Sequence, residues 1–69
     1  MQFPISDEYI ELYKLIKAAD LVDSGAEAKH LIAEGHVLRN GEVELRKRAK
    51  ILVGEVITIA DASIEVTKK

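Results

Sequence analysis

The chain of 69 residues has no cysteine, no tryptophan, a single proline and only three aromatic side chains, Phe3, Tyr9 and Tyr13. Each shortage removes a class of answer. Without cysteine there is neither a disulfide nor a thiolate ligand to reinforce a core that, at this length, buries only about 60% of the unfolded surface. A zinc centre is not expected, because His30 and His36 are the only histidines and have no cluster of acidic ligands to share. No apolar run approaches the roughly 20 residues that span a bilayer. The start, Met1-Gln2-Phe3-Pro4-Ile5, lacks the basic and long apolar regions of a secretory signal. A soluble, cytoplasmic chain with no membrane partner is expected. No nucleophile–base pair, metal set or phosphate loop is present, so neither catalysis nor a cofactor is expected. The aromatics all precede residue 14 and miss the strands predicted below, which argues against folds that stack bases on sheet aromatics.

What is present is an uneven distribution of charge. The net charge is −2, yet residues 36–54 carry Arg39, Arg46, Lys47, Arg48 and Lys50 against only Glu42 and Glu44, a local excess of +3. Residues 1–35 hold three lysines against seven acids, and residues 55–69 two lysines against three acids. Screening at physiological salt acts over about 8 Å, so a polyanion near residues 46–50 responds to the local cations rather than to the total.

The spacing predicts two helices followed by strands. Residues 1–5 read as an extended lead-in, and Ser6 as the cap of a first helix opening on Asp7-Glu8, with Leu12, Leu15, Ile16 and Ala19 on its apolar stripe. Lys14 and Lys17 fall on its solvated side. Ser24-Gly25-Ala26-Glu27 forms a capping box for a second helix over about 25–34, with Ala28, Leu31 and Ile32 inward, Lys29 at the border and Gly35 in the left-handed position that ends it. Asn40-Gly41, between Val37-Leu38-Arg39 and Glu42-Val43-Glu44, is a hairpin signal, since both turn positions need positive φ. Ile51-Leu52-Val53, a turn at Gly54-Glu55, Val56 to Ile59 and Ile64 to Thr67 supply further strands, and Lys68-Lys69 is expected to fray. These elements make a single α+β domain over residues 1–69, two short N-terminal helices packed on a small, mostly antiparallel sheet.

The order of these signals resembles the S-four (S4) RNA-binding domain, built around the αL motif. The residues that carry the resemblance are Leu12, Leu15, Leu21, Ser24, Ala28-Lys29, Ile32, Gly35, Val37, Asn40-Gly41, Gly54 and Ile57, spanning about residues 8–59. A narrower resemblance, to small stand-alone bacterial members, rests on Glu8-Tyr9-Ile10-x-Leu12, Ile16-Lys17, Asn40-Gly41-Glu42-x-Glu44-x-Arg46 and Lys50-x-x-x-Gly54. The resemblance implies a non-enzymatic module that docks structured RNA, ribosomal or transfer RNA, in association with the ribosome or an RNA-modifying enzyme. Two positions depart from the family pattern. Gly25 follows the turn serine where many relatives have arginine, and Glu11 precedes Leu12 where many have a basic residue. Both departures move the burden of attraction to residues 46–50.

The expected RNA-binding residues are therefore Arg46, Lys47, Arg48 and Lys50, with Lys29 extending the patch from the second helix. Lys17 lies near the loop leading to that helix. Arg39 joins if its strand face is the exposed one, and Ser24 is primarily a cap with a secondary contact through the helix N-terminus. Glu42 and Glu44 are expected to be solvated, with no perturbed acidity. A monomer is expected. The rivals are a ribosome-bound protein-interaction adaptor using the acidic first helix, and a regulatory partner of an RNA-modifying enzyme.

Overall fold

The helical stripes at residues 12–18 and 25–33 and the strand-like alternation after Val37 give, together with two strands at the start, β1 (Gln2–Ile5), β2 (Tyr9–Glu11), α1 (Leu12–Ala18), α2 (Gly25–Ala33), β3 (Val37–Arg39), β4 (Glu42–Val43), β5 (Lys50–Leu52), β6 (Val56–Ile59) and β7 (Ala62–Lys68). The computed structural model describes residues 1–69. Five strands form one sheet in the order β1-β7-β6-β3-β4, antiparallel except where β1 runs parallel to β7. The remaining two form a separate antiparallel ribbon, with Tyr9 opposite Leu52, Ile10 opposite Ile51 and Glu11 opposite Lys50. The α+β class and the mostly antiparallel sheet are as the sequence implies. No helix is long and apolar enough to cross a membrane.

The core lies between the two helices, the inner face of the large sheet and the ribbon. Leu12, Leu15 and Ile16 of α1 and Ala28 and Ile32 of α2 meet Val37, Ile57, Ile64, Val66 and, from the ribbon, Ile51. Ala49 is also buried, although Arg48 and Lys50 on either side of it are exposed. That small apolar side chain fastens the basic segment to the core.

Local signals hold where the interaction they encode is local. Asn40 and Gly41 have φ of +52° and +87°, as a two-residue turn matching the strand twist requires. The Ser24 hydroxyl accepts a hydrogen bond from the Glu27 amide at 3.1 Å, which caps α2. The reciprocal bond of a capping box is displaced by one residue, because the Glu27 carboxylate accepts from the Asp23 amide at 3.2 Å rather than from Ser24.

The first helix differs from the expectation. Ser6 does not cap it; residues 6–8 bend, residues 9–11 enter β2, and α1 begins only at Leu12, where Glu11 provides no side-chain cap. The free amides of Leu12 and Tyr13 donate instead to the carbonyls of Ala49 and Lys47, at 2.9 and 3.1 Å. A distant backbone segment thus does what the local cap signal was expected to do. The lead-in at residues 1–5 is also a strand, and Pro4 is tolerated there because β1 lies at the sheet edge. Lys68 belongs to β7, and the Lys69 amide donates to the Ile5 carbonyl at 2.9 Å, so the C-terminus is held rather than frayed. With β1 and β2 present, Phe3 and Tyr9 are on strands after all. Phe3 packs against the core, whereas Tyr9 is 40% exposed.

Leu12 is fully buried at the junction of helices and ribbon, so Leu12→Ala should cost roughly 2–5 kcal/mol, and Ser24→Ala about 1 kcal/mol. Urea denaturation checks both. A Leu12→Ala variant as stable as Ser24→Ala would contradict this placement of the core.

Candidate nucleic-acid interface

The basic residues sit on a loop whose position is fixed twice. After the hairpin, the Glu44 amide donates to the Val37 carbonyl at 3.0 Å, and the chain closes a tight turn in which the Ala49 amide donates to the Arg46 carbonyl at 3.2 Å. The turn is anchored from below by Ala49 and by its carbonyls on the N-terminus of α1. Lys47 and Arg48 project from its tip, and Lys50 begins β5. None of these three cations is paired with a carboxylate, whereas Arg39 and Arg46 are.

Arg39 faces inward. Its Nε and Nη2 donate to the two oxygens of Glu55, each at 2.9 Å, its Nη1 donates to Glu44 at 3.1 Å, and its Nη2 also reaches the Lys50 carbonyl at 2.9 Å. The condition for its joining the exposed patch, an outward strand face, is not met. Glu55 additionally accepts from the Leu52 amide at 2.7 Å and from Asn40 Nδ2 at 3.2 Å, and Asn40 Oδ1 accepts from the Val56 amide at 2.9 Å. The fork geometry of a guanidinium suits this bidentate carboxylate grip. One arginine thereby ties the hairpin, the start of β5 and the turn before β6.

Glu44 is the opposite of the solvated carboxylate expected. It is the one buried charged residue. Its oxygens accept from Arg46 Nε and Nη2 at 3.1 and 3.2 Å, from the Arg46 amide at 3.1 Å and from Arg39. These bonds, those from Arg46 foremost, favour the charged carboxylate over its burial and lower its pKa from 4.5 to about 2. Glu55 is lowered for the same reason, chiefly by Arg39. Arg39 is raised, first by its bond to Glu55, and Arg46 is raised by Glu44. Arg46 keeps most of its side chain in solvent even so. A charge reversal at Arg46 would set a second carboxylate against buried Glu44 and so disturb the fold as well as the surface.

Aromatic rings lie under two of the remaining cations. Lys50 Nζ lies 5.1 Å from the centre of the Tyr9 ring and Lys29 Nζ lies 4.6 Å from that of Tyr13. Tyr13 also approaches Gly25, where an added β-carbon would sit 3.7 Å from its Cδ2. Because the Tyr13 amide holds the Lys47 carbonyl, this residue joins α2 and Lys29 to the basic turn. Lys17, one turn beyond Tyr13 on α1, is exposed and unpaired, and Ser24 spends its hydroxyl on the cap. Glu11 forms an ion pair with Lys14 at 3.0 Å, which partly neutralises the acid standing where many relatives have a basic residue. Two shallow depressions flank the ribbon. One is lined by Arg39, Arg46, Arg48, Ala49 and Lys50, the other by Asp7, Glu8, Tyr9, Ile10, Glu11 and Lys14. Sequence reasoning missed the roles of Glu44, Glu55, Tyr9 and Tyr13, because each depends on partners brought together only by the fold.

The architecture of two short helices on this sheet, with a loop clamped against the first, is that of the S4 domain. The family model of the S4 domain matches residues 3–67, and the chain belongs to that family. Among its relatives is the Escherichia coli K12 protein named "Putative RNA-binding protein YbcJ", 45% identical over 58 residues, which are 84% of this chain and 83% of that one. Another is the Bacillus subtilis 168 protein named "Probable ribosome maturation protein RlbA", 40% identical over 55 residues, 80% of this chain and 78% of that one. The solution structure of YbcJ from E. coli, described as revealing an αL motif involved in RNA-binding, superposes with a TM-score of 0.75 and 40% identity, covering 96% of this chain and 85% of that one.

A carboxylate whose folded-state pKa is lowered contributes stability that is present above its ordinary range and lost as pH falls through the folded value. The charged form of Glu44, with a folded pKa of about 2, therefore contributes roughly 3 kcal/mol that disappears between about pH 5 and pH 2. Glu44→Gln should be less stable than wild type at neutral pH and lose less on acidification, as followed by urea denaturation at stepped pH. Parallel losses in the two proteins would contradict the assignment.

Proposed function

We propose that the protein is a non-enzymatic module that binds structured RNA, with residues 1–69 acting as one domain and the turn at 46–50 as the principal contact. Lys47, Arg48 and Lys50 engage phosphates, Arg46 adds its exposed guanidinium edge, and Lys29 extends the track onto α2. Lys17 borders that track, while Arg39 and Ser24 serve it from within by fixing the turn and the helix. The observation that carries this reading is a set of three unpaired cations on a rigidly mounted loop in a chain that is otherwise anionic. Solvated surface charge needs no such mounting.

The names of the relatives support an RNA ligand, and the name of the B. subtilis relative favours ribosomal over transfer RNA. A cytoplasmic, monomeric protein acting during ribosome assembly is consistent with that choice. Three to four phosphate contacts on a helical RNA give a slope of log affinity against log salt of about −3 to −4. A single module of this kind offers only ~600–1,000 Å² of contact, so affinity should be moderate.

The test is a fluorescence titration of ribosomal and transfer RNA at stepped KCl with wild type and a Lys47→Glu/Arg48→Glu/Lys50→Glu variant, which spares the Arg46–Glu44 pair. The variant should lose roughly 100-fold in affinity at low salt and most of the salt slope, while remaining folded with a modestly lower urea midpoint, since Lys50→Glu faces Glu11 across the ribbon. Equal affinity of both proteins for every RNA would reject this surface.

A further inference from the structure

We propose that Tyr9 is a stacking platform for one unpaired base of the bound RNA, beside a phosphate held by Lys50. The proposal rests on the RNA-binding reading above and adds to it a structural class of target. The β2–β5 ribbon has two unlike faces. Ile10 and Ile51 point to the core, the latter fully buried. Tyr9 and Leu52, paired in register, point outward and are 40% and 48% exposed. Directly opposed residues on one face bring their β-carbons within about 4.5–5.5 Å, so ring and leucine form one small flat surface. Only the flexible Lys50 side chain lies over the ring, its ammonium 5.1 Å from the ring centre, and a stacking base would displace it toward the adjoining phosphate.

The charges around this surface select its occupant. Lys50 Nζ lies 5.1 Å from the Tyr9 ring centre and belongs to the depression lined with Arg39, Arg46 and Arg48. On the other side, Tyr9 lines the depression that holds Asp7, Glu8 and the Glu11–Lys14 ion pair, a lining that stays net negative. A phosphate is attracted to the first side and repelled from the second. An RNA strand whose backbone follows the cations can therefore send only an uncharged group across the ring. A nucleobase is uncharged, flat and π-rich, and its stacking on an aromatic side chain tolerates any sequence. Bases inside a duplex already stack on their neighbours and offer no free face, so the target presents a bulged or looped nucleotide next to a helical segment.

The experiment compares two RNA hairpins, one perfectly paired and one identical except for a single 2-aminopurine bulge, against wild type, Tyr9→Leu and Tyr9→Phe. Tyr9→Phe should keep the wild-type urea midpoint, and Tyr9→Leu should stay folded with a slightly lower one, because it gives up the ring's contact with Lys50. Wild type and Tyr9→Phe should bind the bulged hairpin about 5- to 100-fold more tightly than the paired one and quench its fluorescence. Tyr9→Leu should lose both the preference and the quenching, yet keep the salt slope. Salt-dependent binding without a bulge preference in wild type, or a preference that survives in Tyr9→Leu, would overturn the stacking proposal alone. Failure of both hairpins to bind wild type, or equal binding by the Lys47→Glu/Arg48→Glu/Lys50→Glu variant, would overturn it together with the RNA-binding reading.

Discussion

The position of the basic turn depends on a guanidinium held between two carboxylates. Arg39 is gripped by both oxygens of Glu55, touches Glu44, and bonds the carbonyl of Lys50. Glu44 in turn holds Arg46 by side chain and amide. Two cations and two anions thus neutralise one another within the structure, and the cations left over are those at the surface. Burying ion pairs stabilises a fold little compared with apolar packing, while removing one partner is costly because the other charge is stranded. Such a network contributes mainly position. Here it holds the start of β5, the hairpin and the basic turn in one geometry, and the turn's carbonyls then cap α1.

This arrangement reconciles an anionic chain with a polyanionic ligand. The negative charge is concentrated before residue 36, and the acidic depression at Asp7, Glu8 and Glu11 lies across the ribbon from the basic one. On the proposed reading, repulsion from that flank would orient a phosphate backbone as well as weaken its binding. Tyr9 and Tyr13 stand at the border, each under a lysine, and such cation–ring contacts are worth about 0.5–1 kcal/mol at exposed sites. The membership in the S4 family and the fold shared with the E. coli relative place this electrostatic pattern on a known scaffold.

Much of the scaffold was legible because its signals act over a few residues. Asn40-Gly41 encodes its turn, Ser24 its cap, and the stripes of α1 and α2 their buried faces. The elements that escaped are those made by distant partners. Nothing near Gln2 to Ile5 announces a strand until β7 supplies its hydrogen bonds from the far end of the chain. Ser6 followed by two acids is a sound local cap, yet β5 pairing with residues 9–11 and the carbonyls of Lys47 and Ala49 outweigh it. The candidate surface divided in the same way. The run from Arg46 to Lys50 was visible as composition, and Lys29 through the family pattern. The internal commitment of Arg39 and the burial of Glu44 were not, since alternation alone does not say which face of a short hairpin receives a third strand.

The most direct test of the central claim is amide hydrogen exchange in wild type and Arg39→Met. If the guanidinium positions the basic turn, Leu12, Tyr13, Arg46 and Leu52 should lose protection selectively, while Ile57 and Ile64 in the β6–β7 pair keep theirs. Unchanged exchange at Leu12 and Tyr13, or an equal loss at every strand, would contradict the account.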